Sequence, residues 1–254
     1  MRRLLRAAGV GVLTLSAAAC PARKAKTSAE VLLTERMAQV LLREGRAQDA
    51  ERAFRESLKD DPKNSEVHGG LGVALLMQGR FREALAPLEK AVQLSPENGS
   101  FRNNLGVAQM ELGQYRESEE AFAAAEQSQN PDDRLSATIN RGRLRQRQGN
   151  FTAAEGEFSN ALARDPKSYA AVLGRGVARE AKGDLEGAAE DYLAAVKLDA
   201  TSAEANLRLG LCLVSLHKTG LGRRYLQRAV ELDPSGDTGA KARIILETAQ
   251  RDAS

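Results

Sequence analysis

The sequence predicts an all-α solenoid of six stacked helix pairs closed by a C-terminal capping helix. Two observations predict it. Segments opening at Val31, Ser65, Gly99, Leu135, Tyr169 and Ala203 repeat at spacings of 34, 34, 36, 34 and 34 residues. Within them small and large residues recur at fixed places, and proline closes most copies. At the eighth place stand Ala38, Gly72, Gly106, Gly142, Gly176 and Gly210; at the twentieth Ala50, Ala84, Ser118, Ala154, Ala188 and Gly222. The twenty-fourth carries Phe54, Leu88, Phe122, Phe158, Tyr192 and Leu226, and the twenty-seventh Ser57 and then five alanines from Ala91 to Ala229. Pro62, Pro96, Pro166 and Pro234 occupy the thirty-second place. Small residues at places 8 and 20 let two helices approach closely while the bulky residue at 24 fills the gap between them. Proline disfavours helical geometry at the residue before it and so separates one unit from the next. No unit buries its apolar face alone, and stacking follows from that.

The chain begins with a different kind of segment. Met1–Arg6 carries three arginines, residues 7–19 are uncharged, and Ala17, Ala18 and Ala19 precede Cys20, the three-part layout of a secretory signal peptide. Thirteen residues fall short of the roughly 20 needed to span a bilayer. The stretch resembles a bacterial lipobox with Ala17 at −3 in place of the usual Leu, so residues 1–19 are expected to be cleaved and Cys20 to be the lipid attachment site; secretion with a free thiol and an uncleaved helix are the alternatives. Residues 20–28 then form a short tether reaching at most about 25–30 Å, with Arg23, Lys24 and Lys26 near the membrane surface or simply solvated.

The repeats are expected near 31–64, 65–98, 99–134, 135–168, 169–202 and 203–236. The third is two residues long, and "QSQNPDDR" reads there as a longer turn before Leu135. Pro87 falls early in the second helix of repeat two, where few backbone donors are committed, and predicts a mild bend. After Pro234 the pattern breaks, and "AKARIILETAQ" reads as an amphipathic capping helix over about 240–251.

Composition narrows the function. Of 254 residues, 42% are apolar, enough for a sizeable core. The formal charge of +3 belongs to the leader: without residues 1–19, 34 basic residues face 34 acidic ones. A balanced chain without tryptophan has neither the field nor the stacking platforms of a nucleic-acid binder. His68 and His217 lack partners at ligand spacing, so no metal, cofactor or enzymatic activity is expected. Cys212 holds a place filled elsewhere by Val40, Ala74, Ala108, Leu144 and Ala178, which makes it a packing residue. The glycine clusters around Gly72 and Gly176 are helix contacts, with no strand before them to form a phosphate loop.

The residues at places 8, 20, 24, 27 and 32 resemble the tetratricopeptide repeat, over about four-fifths of the chain, although place four, often Trp in that family, is Thr34, His68, Arg102, Thr138, Val172 and Asn206. The resemblance implies a right-handed solenoid whose first helices line a concave face that binds polypeptide. The residues it implies for that groove are Leu42, Val73, Leu76, Met77, Val107, Met110, Leu173, Val177, Leu207 and Leu211, with Val214 beside them and Arg143, Gln146 and Arg147 inserted by repeat four. An exposed apolar strip of this kind suits an extended segment or an amphipathic helix. Arg141 and Arg145 belong to the same basic run, and Arg145 and Arg179 replace the usual aromatic at place eleven. These side chains either pack with their heads paired to Glu155, Glu157 or Glu190, or receive acidic groups of a partner.

Leader, tether and six repeats together resemble the pilotins of type IV pilus systems, the Tgl, PilF and PilW group. The resemblance implies an outer-membrane lipoprotein facing the periplasm, a monomer on its own, that helps secretin subunits reach the membrane and multimerise. A periplasmic adaptor for cell-wall hydrolases or another envelope complex is the second expectation, and a passive spacer the third.

Overall fold

The computed structural model describes residues 28–251, with side chains from 33 to 248. The leader, Cys20 and most of the tether lie outside them. The described residues form thirteen helices and no strand. Six antiparallel pairs follow one another: α1 Ser28–Arg43 with α2 Ala47–Leu58, α3 Ser65–Met77 with α4 Phe81–Leu94, α5 Gly99–Glu111 with α6 Tyr115–Ala125, α7 Pro131–Arg147 with α8 Phe151–Arg164, α9 Tyr169–Ala181 with α10 Leu185–Leu198, and α11 Ala203–Ser215 with α12 Thr219–Leu232. The cap, α13, runs Asp237–Arg251 and packs on α12 and α11. Odd-numbered helices also pack on one another from α1 to α9, whereas even-numbered helices make no comparable contact. The odd helices therefore line the tighter, concave side and the even ones the splayed, convex side.

Local chemistry sets the boundaries. Each odd helix from α3 to α11 starts at an Asn or Ser, namely Asn64, Asn98, Asn130, Ser168 and Ser202, whose side chain accepts a hydrogen bond from a backbone N–H of the first turn. Between the helices of each pair the chain turns through a left-handed residue: Gly45, Gly79, Gly113, Gly149, Gly183 and, in the sixth pair, His217 at φ 59°. A Cβ in that region costs about 1–2 kcal/mol, and the entropy that glycine adds to the unfolded chain takes back about 0.5–1 kcal/mol. His217→Gly is accordingly expected to stabilise the protein by about 0.5 kcal/mol, measured as a raised urea midpoint.

Place 24 is the keystone of every pair: Phe54, Leu88, Phe122, Phe158, Tyr192 and Leu226 are each at most 1% exposed. A Cβ on Gly142 would stand 2.7 Å from the Phe158 ring, and one on Gly174 of the next repeat 2.5 Å from it. Phe158 is thus clasped by glycines of two successive units. This is how the small residues couple neighbours as well as partners within a pair.

Two expectations about the elements change. The "QSQNPDDR" stretch is not a long turn: Asn130 caps α7, Pro131 occupies its first turn, and the helix gains an extra N-terminal turn, reaching 17 residues. Asn and Pro at a helix entry supply the start signal, and the added turn settles on α5, with Ser128 and Asp133 against Gly99. The cap begins at Asp237 rather than 240, because the Asp233 carboxylate accepts from the N–H groups of Thr238 and Gly239. Ala242 of α13 is fully buried, with Ile245 and Leu246 on the same core. Pro87 lies within α4, which continues through it to Leu94.

Candidate partner-binding groove

The predicted groove residues occupy the odd helices, but their exposure is uneven. Val107, Met110, Arg143 and Arg147 meet in one concave pocket of about 510 Å³, lined also by Glu111, Asn140 and Gln146. Leu42 and Leu76 are half-buried against the N-terminal core, Leu173 and Val177 against the core of repeats five and six, and Leu211 and Val214 against the C-terminal core. Val73 is half-buried, and Met77 is open, 49% exposed.

Leu207 is a correction: only 8% exposed, it belongs to the core with Leu226, Ala229 and Ala242, because α13 covers that end of the stack. Met110 is also mostly core, 4% exposed beside Phe122 and Leu144. The apolar strip is thus largely half-buried, since successive odd helices close on one another and absorb the side chains between them. Leu76→Asp would strike the core, so Met77 is the position at which a charge tests the surface without testing the fold.

What the pocket offers openly is polar. The Asn140 side-chain amide donates to Asn103 Oδ1 at 2.9 Å, a buried bond that ties α7 to α5. Asn140 Oδ1 in turn accepts from Arg143 at 3.2 Å. Arg143 makes no ion pair among the described residues and keeps most of its five N–H donors toward the pocket. Arg147 Nη2 donates to both Glu111 carboxylate oxygens at 2.7 and 2.8 Å, and Gln146 donates to the Gly174 carbonyl at 2.9 Å. An exposed guanidinium beside a half-open ion pair and a buried amide is suited to take a partner's carboxylate or backbone carbonyl.

The other arginines pack. Arg141 reaches Glu119 at 3.1 Å, Glu126 at 2.9 Å and Glu157 at 3.2 Å, and Arg145 reaches Glu119 at 3.0 Å. Arg179 pairs with Glu155 at 2.9 Å and Asp191 at 3.0 Å, and Arg175 with Asp191 at 2.6 Å. Of the partners expected for them, Glu155 and Glu157 are engaged and Glu190 is not; sequence reading missed Glu119, Glu126 and Asp191. The signal for Asp191 was available, since a carboxylate takes over a place that is Ala53 or Ala121 elsewhere in the repeat just where arginines enter. Burial drives the Glu157 carboxyl above its ordinary range against the opposing charge of Arg141, and Glu126 adds to the rise.

At the N-terminal end Glu51 is buried yet accepts from Gln78 and Arg80, both at 2.7 Å, and pairs with Arg55. Burial alone would lift its pKa, but those hydrogen bonds and charges outweigh burial and hold it below 4.5. A carboxyl whose pKa is lower folded than unfolded stabilises above about pH 4.5, and that stabilisation fades as pH falls through the folded value. Urea midpoints measured from about pH 6 down to about pH 3 are expected to fall less steeply for Glu51→Gln than for the wild type.

His68 Nε2 lies 3.0 Å from the Pro62 carbonyl, and His217 serves the turn described above. Among the described residues no group of three or more His, Cys, Asp or Glu is placed to hold a metal ion. No helix there is long and apolar enough to cross a membrane. Cys212 is buried, and burial pushes its thiol up to about 11.

Sequence-family comparison agrees with the geometry. One tetratricopeptide repeat model matches residues 36–99 and 139–203, half of the chain, and a second matches 75–141. The chain belongs to the tetratricopeptide repeat family. No curated protein matches it in sequence. Among solved structures, Pseudomonas aeruginosa PilF superimposes with a TM-score of 0.69 at 17% identity, over 84% of this chain and 96% of that one. PilW, described as a widely conserved type IV pilus biogenesis factor, does so with 0.72 at 19%, over 85% and 99%. Human IFIT1 bound to m7Gppp-AAAA gives 0.63 at 17%, over 88% and 65%. Such identities show a shared fold, and that fold occurs in a pilus biogenesis factor and in a protein bound to m7Gppp-AAAA alike; the partner has to be argued from the tetratricopeptide surface itself.

Proposed function

We propose that this protein is a lipid-anchored scaffold whose concave face holds a segment of another polypeptide, and that it acts as a pilotin assisting localisation and multimer assembly of an outer-membrane type IV pilus secretin. The observation that carries the binding role is the pocket between α5 and α7, where Arg143 stands beside the Asn103–Asn140 bond without a counter-ion among the described residues. Val107 supplies apolar contact within the same pocket. The pilotin reading is supported by the likeness to PilF and PilW along nearly their whole length and by the lipobox-like leader ending at Cys20. The balanced mature charge favours a polypeptide partner over a nucleic acid. The anchor at Cys20 and the outer-membrane destination are part of the proposal.

The test is secretin assembly in cells producing wild type, Cys20→Ala or the double variant Arg143→Glu/Arg147→Glu. Denaturation-resistant secretin multimers are expected with the wild type alone. Cys20→Ala is expected to release the protein from the membrane fraction; the double variant is expected to stay there, fold normally and weaken secretin capture at least about tenfold. Normal multimers in both variants would overturn the reading.

A further inference from the structure

Because the protein is a repeat, each junction between units serves as a control for the others, and one of them is built differently. On the convex side the floor of each junction comes from places 7, 11 and 14 of the later unit, and place 21 of the earlier one leans over it. At three junctions a carboxylate at place 21 fills this space by meeting donors from the next unit: Glu51 with Gln78 and Arg80, Glu119 with Arg141 and Arg145, Glu155 with Arg179 and Lys182. The junction of repeats two and three lies between the extremes, with Leu85 at place 21 and Gln109 and Leu112 at places 11 and 14. Between repeats five and six place 21 is Ala189, and Leu209, Leu213 and Leu216 replace the polar donors. The result is an open apolar groove of about 300 Å³ between α10 and α12.

The rim has changed too. Leu221, half exposed, stands at a place that repeats one to three fill with Asp49, Glu83 and Glu117. On the α10 side Glu186 and Glu190 lie one helical turn apart, both exposed; Lys218 lines the groove as well, but neither carboxylate has an ion-pair partner among the described residues. A like-charged pair at that spacing slightly destabilises a helix on its own, and opposite charge brought by a partner relieves it.

We propose that this convex groove is a second docking site, separate from the concave pocket, for an amphipathic helix of another protein that lays leucine-class side chains against Leu213, Leu216 and Leu221 and sets Lys or Arg against Glu186 and Glu190. The probe is a labelled helical peptide of leucine and lysine, compared with its leucine and glutamate counterpart, titrated against the full chain by fluorescence anisotropy. The wild type is expected to bind the lysine peptide saturably and the glutamate peptide at least about tenfold more weakly. Leu221→Glu is expected to cost at least about tenfold, Glu186→Gln/Glu190→Gln to erase the preference for lysine, and Arg143→Glu/Arg147→Glu to change nothing, which separates this site from the concave one. Absence of saturable binding to the wild type, equal affinity in Leu221→Glu, or loss in the concave variant would overturn the proposal. So would self-association of the wild type that Leu221→Glu abolishes, since the occupant would then be a second copy.

Discussion

Phe158→Ala is expected to cost about 3–5 kcal/mol and to divide the thermal melt into two transitions. The ring is fully buried, and glycines of its own unit and the next enclose it. Removing it therefore leaves a cavity at the junction of repeats four and five as well as within repeat four. In a stacked array stability is a sum of unit and nearest-neighbour contributions, so loss at a central junction lets the two ends unfold independently. Circular dichroism resolves the two steps, and hydrogen exchange identifies which helices belong to each. Gly142→Leu alone overpacks the same contact at a cost of about 1–3 kcal/mol. Combined with Phe158→Ala it places leucine where the ring was, and the double variant is expected to be more stable than the two separate losses predict. Simple additivity would mean that Gly142 and Phe158 do not share a contact.

Arg141→Ala is the second large effect. Its guanidinium sits among Glu119, Glu126 and Glu157 at 3.2 Å or less, and removing it leaves three carboxylates facing one another in a partly buried space. Breaking a fully buried pair costs about 3–5 kcal/mol; with Arg141 still 23% exposed, about 2–3 kcal/mol is expected at pH 7. The pH dependence distinguishes charge from packing. Arg141 lowers the Glu157 pKa, so without it the Glu157 carboxyl takes up a proton more readily when folded, and the penalty is expected to shrink as pH falls toward 4.5 and below. The same sign already governs Glu157 in the wild type: its pKa lies above the ordinary value, so its contribution is present below pH 4.5 and lost as pH rises through the folded pKa. A penalty independent of pH would assign Arg141 a packing role through its aliphatic stem. Leu71, Leu105 and Leu209 at the same place show that a neutral side chain suits the backbone, and that the carboxylates around Arg141 are what demand a cation.

The architecture was legible because a 34-residue period constrains each place six times over. A small residue at place 8 opposite a bulky one at place 24 has few interpretations, and glycine opposite phenylalanine recurs in the structure as contact at van der Waals limits. Where a signal occurs once, reading it was harder. Asn130–Pro131 is a helix start, but inside an insertion it looked like a loop. The groove was legible as a face and not as a surface: place numbers tell which side of a helix a residue occupies, while the depth of Met110 and Leu207 depends on how closely the next odd helix and α13 approach. The convex groove left a signal of the same kind as the repeat itself, namely apolar residues at place 21 of repeat five and at places 14 and 19 of repeat six, which meet at one junction. Pairing to Glu155 and Glu157 was legible, but the parts played by Glu119, Glu126 and Asp191 escaped because they link residues 12 to 26 positions apart whose juxtaposition depends on how the helices pack.

The concave face as the seat of partner capture is tested most directly by site-specific photocrosslinking in intact cells. A photoreactive residue replaces Met77 or Arg147 on the concave side, and Arg116, 87% exposed on convex α6, in a third strain. The account predicts one discrete crosslinked polypeptide from Met77 and Arg147 and none from Arg116. Crosslinks of equal yield from all three positions, or from Arg116 alone, would contradict it.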